Sequence, residues 1–251
     1  MNSTFINELK NTSHSVVEAF KSLRTNFLFC GDEYKTVLIT SCVQHEGKST
    51  ISIELAKSLS VAEKKVLLID ADLRKSLYAS MYTTNNKEII GLSEYLSGQA
   101  SYESILHSTQ YENLELIFAG AVPPNPVELL SSKKFESLVR EAREKYDYVI
   151  IDAAPLGAVI DAAAIGAFCD GAILVIAANE IHCRHAQDVK AQLEKSNCKV
   201  LGAILNRIPI KPGSYYSSYY RKYYGRKYGT YGYGHSGSYD YYGKPEKKKK
   251  K

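Results

Sequence analysis

Residues 36–50 decide the fold. Thr36-Val37-Leu38-Ile39-Thr40 runs directly into Ser41-Cys42-Val43-Gln44-His45-Glu46-Gly47-Lys48-Ser49-Thr50. A short β-branched apolar run, a polar loop and then a helical pattern over residues 48–60 read as strand, loop and helix. The strict phosphate-loop pattern is G-x-x-x-x-G-K-[ST]. Gly47, Lys48 and Ser49 fit it, and Cys42 stands where the first glycine belongs. At such a junction, backbone N–H groups and a helix N-terminus can hold phosphate oxygens. Lys48 would reach the β- and γ-phosphates, and the Ser49 hydroxyl would ligate Mg2+. The plainer alternative is a strand-to-helix turn carrying a surface lysine.

Further apolar runs follow at residues 66–70, 114–119, 148–152, 172–177 and 200–205, separated by helical patterns near 132–145, 158–168 and 184–196. Continuous rather than alternating apolar strands are expected when helices cover both faces of a sheet. The pattern predicts an α/β fold, a doubly wound and mostly parallel sheet with helices on both faces. Ligands of such sheets bind at the carboxyl ends of the strands. Asp70 closes the second run with Asp72 two residues on, and Asp152 closes the fourth. Carboxylates this close are costly without a cation or a shared proton. Taken singly, each also fits a solvated loop or a strand stop. In this order, they place a nucleotide–Mg2+ site on one sheet edge.

The 251 residues are 45% hydrophobic and 24% charged, an ordinary globular balance. No apolar run is long enough to span a bilayer, and residues 1–30 carry no signal-peptide pattern. The five cysteines are scattered, without C-x-x-C, which fits a reducing compartment.

Tyrosine is the anomaly: 20, against seven Phe and no Trp. Twelve lie in residues 211–251: Tyr215, Tyr216, Tyr219, Tyr220, Tyr223, Tyr224, Tyr228, Tyr231, Tyr233, Tyr239, Tyr241 and Tyr242. That segment has 11 Lys and Arg against two acids, net +9, so the whole-chain +5 leaves −4 on residues 1–210. It contains no Ala, Val, Leu, Ile, Met, Phe or Cys. Such a composition cannot bury enough apolar surface to offset ordering entropy. The reading is a domain at 1–210 and a disordered Tyr-, Gly- and Lys-rich tail at 211–251.

These motifs together resemble the bacterial tyrosine kinases that control capsule and exopolysaccharide synthesis, in the two-polypeptide arrangement of Gram-positive bacteria. The resemblance rests on G-K-S-T at 47–50, L-L-I-D-A-D-L-R at 67–74, I-I-D-x-x-P at 150–155, P-P-N-P-x-E-L-L at 123–130, Asp161, L-G-x-x-L-N at 201–206 and the tyrosine-rich tail. It implies a P-loop NTPase domain that uses ATP and Mg2+ to phosphorylate tyrosines of its own tail, mainly between subunits. Glu46, Gly47, Lys48, Ser49 and Thr50 would bind nucleotide, with Asn206 at the adenine. Ser49, Asp72 and Asp152 would hold the metal, directly or through water. Asp70 is the candidate base, although its assignment against Asp72 stays open because such a pair titrates together.

Residues 15–29 read as a helix with Glu18, Lys21 and Arg24 on one stripe. In the family the matching motif, E-x-x-R-x-x-R, packs against a neighbouring subunit in a ring; a solvated charged face is the alternative. The resemblance also implies a cytoplasmic location, recruitment to the inner membrane face through a separate membrane activator, and an opposing tyrosine phosphatase. No nucleic acid is expected. Three positions depart from the family: Gln44-His45 replaces Pro-Gly, Lys21 replaces arginine, and Ala153-Ala154 replaces Thr-Pro. A positive φ at position 45 would cost histidine more than glycine.

Two other readings compete. A positioning or partitioning ATPase of the same branch would carry K-G-G-x-x-K-[ST], but Val43 stands where its first lysine falls. A nucleic-acid-binding tail could use Tyr stacking and cations, yet it leaves the nucleotide motifs without a role.

Overall fold

A computed structural model describes residues 2–7, 14–84 and 89–208. The tail and its twelve tyrosines lie outside the described residues. The described chain falls within one compact unit ending at Ile208.

In chain order the elements begin with β1 (Asn2–Ile6), α1 (His14–Leu28), β2 (Thr36–Ser41), α2 (Lys48–Val61), β3 (Val66–Asp70), α3 (Tyr78–Met81) and β4 (Tyr82–Thr84). Next come α4 (Leu92–Leu96), α5 (Tyr102–Ile105), β5 (Leu106–Ser108), β6 (Leu114–Ile117), α6 (Pro126–Leu130) and α7 (Lys133–Lys145). The chain continues through β7 (Tyr148–Asp152), α8 (Asp161–Gly166), β8 (Gly171–Ala177), α9 (Cys183–Lys195) and β9 (Val200–Asn206).

The strands form one sheet in the order β4-β1-β5-β6-β3-β7-β2-β8-β9. The six strands expected from the apolar runs, β6 to β9 in that order, are parallel throughout. Alternate residues of one run serve opposite faces. Val37 and Ile39 join a core with Phe27 of α1 and Leu55 and Leu59 of α2. Leu38 joins another with Phe135 and Leu138 of α7, Ile165 of α8 and Leu193 of α9. Burying both faces explains why these runs are continuously apolar.

Three strands escape the sequence reading. β1 and β4 pair antiparallel, and so do β5 and β6. They are short, and β1 is largely polar, with Thr4 and Ile6 buried and Phe5 exposed. The Gln110 side chain brackets Ile6, accepting from its N–H at 2.9 Å and donating to its carbonyl at 2.8 Å. A tertiary contact therefore supplies what an apolar run supplies elsewhere. The helix expected at 158–168 is shorter, because Ala158 and Val159 N–H groups bond back to Pro155 in a turn before α8 begins. Among the described residues, no helix is long and apolar enough to cross a membrane.

Candidate active site

β2 delivers the loop and α2 receives it. Two residues turn the chain through the left-handed region: His45 at φ 64° and Gly47 at φ 92°. A Cβ on Gly47 would collide with the Asn206 side-chain amide, so only glycine fits there. The positive φ considered for position 45 is present, carried by a histidine. Lys48 opens α2 directly after Gly47, with its side chain buried. Cys42 faces the core; burial first, then the nearby Glu46 carboxylate, push its thiol up to about 12, so it stays protonated.

Glu46 is buried and turned inward. Its Oε2 accepts from the N–H groups of Cys42 at 2.7 Å and Val43 at 2.8 Å. Its Oε1 accepts from Ala177 N–H at 2.9 Å, at the end of β8. Both carboxylate oxygens therefore brace the loop. Asn206 closes the same corner: its Nδ2 donates to the Glu46 carbonyl at 2.9 Å, and its Oδ1 accepts from Arg207 N–H at 2.9 Å. Thr50 is half-buried in the first turn of α2.

Strand register brings the carboxylates together. Asp70 of β3 lies opposite Asp152 of β7, and Asp152 lies opposite Ile39 of β2, just before the loop. Lys48 Nζ is 3.0 Å from Asp72 Oδ2 and 3.4 Å from Ser49 Oγ. Asp152 Oδ1 accepts from Ser52 Oγ at 3.2 Å, while its Oδ2 is buried without a hydrogen-bond partner. Asp70 Oδ2 accepts a short bond from the Ser76 hydroxyl, and its Oδ1 accepts from Asp72 N–H at 3.2 Å. Burial, then the charge of Asp152, push Asp70 up to about 8, against the Ser76 hydrogen bond that favours its ionised form. Burial likewise raises Asp152, against the opposing pull of Lys48. Burial alone would lower Lys48, but Asp152, Asp72 and Asp70 outweigh it and hold the ammonium charged.

A second layer ties the loops to each other. Arg74 grips the fully buried Asp161 at the start of α8 bidentately, Nε to Oδ2 at 2.7 Å and Nη2 to Oδ1 at 3.0 Å. Thr40 Oγ1 donates to the Ala154 carbonyl at 2.9 Å. Ser52 and Ser76 were not singled out from the sequence. Ser52 could have been, since it sits one turn after Lys48 on the buried side of α2; nothing local marks Ser76.

The surface stripe on α1 divides. Lys21 pairs with Glu18 at 2.8 Å within the helix. Arg24 instead donates to the Ser58 carbonyl of α2 at 2.9 Å, tying α1 to its own domain.

The donor set fits a divalent cation. Asp152 Oδ2 is a buried, unpartnered carboxylate oxygen beside two more acids and the Ser49 hydroxyl. Among the described residues, no three His, Cys, Asp or Glu side chains converge as a ready cage. Mg2+ commonly takes one or two carboxylates and completes its shell with substrate phosphates and water, so it needs no such cage.

A phosphate loop on a parallel sheet, facing aspartates from two neighbouring strands, defines a P-loop nucleotide-using domain. Residues 40–200 match the AAA domain family. The chain is 39% identical over 198 residues to the tyrosine-protein kinase CpsD of Streptococcus pneumoniae, covering 79% of this chain and 87% of that one. Its fold matches the kinase domain of the Escherichia coli tyrosine kinase ETK with a TM-score of 0.75 and 34% identity, over 82% of this chain and 80% of that one. The septum site-determining protein MinD of Pyrococcus horikoshii, complexed with Mg-ADP, matches less well: TM-score 0.58 and 27% identity, over 70% and 71% of the chains. The chain belongs to the bacterial tyrosine-protein kinase family, and the kinase reading takes precedence over the positioning ATPase.

Proposed function

We propose that the chain is a tyrosine autokinase that moves the γ-phosphate of ATP to tyrosines of residues 211–251, mainly between subunits. The observation that carries this is the buried meeting of Lys48 with Asp72 beside Asp70 and Asp152, at the mouth of the loop. Phosphoryl transfer needs alignment and charge stabilisation more than covalent help. Gly47, Lys48, Ser49 and Thr50 present the start of α2 to the phosphates, and Asn206 stands at the adenine side. Lys48 binds the β- and γ-phosphates once released from Asp72. A Mg2+ ion held by Ser49, Asp72 and Asp152 would neutralise charge on the transferring group.

The tyrosine oxygen attacks the γ-phosphorus, the bond to the bridging oxygen breaks, and ADP leaves. The hydroxyl proton passes to Asp70, or to the coupled Asp70–Asp72 pair. A carboxylate raised toward neutral pH is the better base for a tyrosine hydroxyl. Ser76 already donates to Asp70, the bond a substrate hydroxyl would take over.

Each phosphate adds roughly −1.5 to −2 charges at neutral pH. Five or six would cancel the +9 of the tail, making it a charge switch. Unmodified, residues 247–251 suit the anionic inner leaflet at roughly 1 kcal/mol per basic residue; modified, the tail is repelled. The proposal extends to a homo-oligomeric ring through Glu18, Lys21 and Arg24, the last giving up its bond to the Ser58 carbonyl, a membrane activator on a separate chain, an opposing phosphatase, a cytoplasmic location, and control of capsular or extracellular polysaccharide synthesis.

Mass spectrometry after incubation with Mg-ATP tests the reaction, with and without the activator's cytoplasmic segment. Phosphotyrosine within residues 211–251, lost in Lys48→Met, is expected. Its absence, or equal amounts in the variant, overturns the proposal.

A further inference from the structure

Glu46 spends its side chain on the protein rather than on the front of the loop. One oxygen takes the two amides where the loop leaves β2, Cys42 and Val43; the other takes Ala177, 131 residues away at the end of β8. Its backbone carbonyl accepts from Asn206 at the end of β9. The ends of β8 and β9 are themselves in register, Ala177 opposite Asn206, and Ala178 N–H donates to the Asn206 carbonyl at 2.8 Å. One residue thus joins three strand ends. A buried carboxylate accepting three amide bonds is strongly anchored, because charge-assisted bonds are about twice as strong as neutral ones. Glutamine cannot replace it: with one acceptor oxygen and an NH2 group, it must leave an amide unbonded or set a donor against a donor.

We infer that Glu46 is a positioning residue that locks the phosphate loop to the β8–β9 edge, so that phosphate grip and base selection are set together rather than separately. This rests on the nucleotide-site reading, in which Asn206 faces the base. If the loop were held by β2 and α2 alone, loosening it would weaken all nucleotides alike. Anchored through Glu46, it cannot shift without carrying the Asn206 amide with it.

Binding of fluorescent ADP and GDP analogues to the full chain tests this, with Glu46→Gln and Asn206→Ala singly and combined. Glu46→Gln should weaken ADP by at least about tenfold, the loss of one hydrogen bond to a charged group. It should also lower the preference for ADP over GDP, and the double variant should lose less than the two single losses predict. Amide exchange at Cys42, Val43 and Ala177 should rise together. If Glu46→Gln does not fold, Glu46→Asp, which keeps the charge but falls one methylene short, carries the same expectations. An unchanged ADP:GDP preference with additive losses overturns the inference even if affinity falls, as does a wild-type chain with no preference. A wild-type chain that binds neither nucleotide overturns the site reading itself, and the inference with it.

Discussion

Lys48 Nζ and Asp72 Oδ2 lie 3.0 Å apart with both side chains nearly excluded from water. The cation assigned to phosphate is therefore held by a carboxylate assigned to metal, and the two roles cannot be filled while that pair persists. Asp72→Asn should free Lys48. Nucleotide binding without metal should tighten, while Mg-dependent tyrosine phosphorylation should fall by roughly a hundredfold or more, the scale for losing an electrostatic group at a reacting centre. Titration of a fluorescent nucleotide in EDTA, alongside phosphotyrosine blotting, separates the two effects. Equal loss of both would show that the pair does not restrain Lys48.

Asp70 predicts a pH dependence of the ligand-free fold. Its carboxyl stands at about 8 in the folded chain against 3.8 ordinarily. Between those values the folded state keeps a proton that the unfolded state has released. This contribution to stability is complete below about pH 4 and is lost as pH rises through about 8, with a slope of up to about 1.4 kcal/mol per pH unit. Urea unfolding at pH 5 and pH 7.5 should show wild type losing more stability than Asp70→Asn over that interval. Parallel behaviour of the two would contradict the assignment.

Arg74 and Asp161, 87 residues apart, join the loops after β3 and β7. Asp161 is fully buried and Arg74 is partly exposed. Arg74→Ala strands a buried carboxylate and should cost about 2–3 kcal/mol, the penalty for leaving such a group unpaired. Arg74→Lys should recover only part of this, since a point charge cannot replace a bidentate fork. Chemical denaturation of both variants checks the order.

His45 occupies the left-handed region, which disfavours a side chain by roughly 1–2 kcal/mol. His45→Gly removes that strain but adds unfolded-state entropy, so a net gain of about 0.5–1 kcal/mol is expected. His45→Val should destabilise, because β-branching suits this region least. Thermal unfolding of the two variants should move in opposite directions.

Much of this fold is legible in the sequence. Six parallel strands and the stretch 47–50 follow from apolar runs and one local pattern, because covering both faces of a strand leaves a continuous signature. Asp70, Asp72 and Asp152 were legible because strand ends on such a sheet converge. β1, β4 and β5 were not, since they are short, and β1 is seated by one buried side chain, Ile6, and by the Gln110 side chain rather than by a continuous apolar run. The Arg24 anchor was equally hidden: the sequence shows a charged stripe, and only the seating of α1 on α2 turns one member inward.

The amino-acid sequence by itself shows which groups are available for the proposed chemistry: a lysine and a hydroxyl where a helix is expected to start, acids at two expected strand ends, and twelve tyrosines in residues 211–251. Those conclusions need only composition and spacing. Only the tertiary structure decided who holds whom. Glu46 turns inward to Ala177, Lys48 rests on Asp72, Ser76 caps Asp70, and Arg74 reaches Asp161. Partners 24 to 131 residues apart, like Lys48–Asp72 and Glu46–Ala177, are chosen by strand order and register. Neither can be read from a local stretch, because each follows from how distant strands pair.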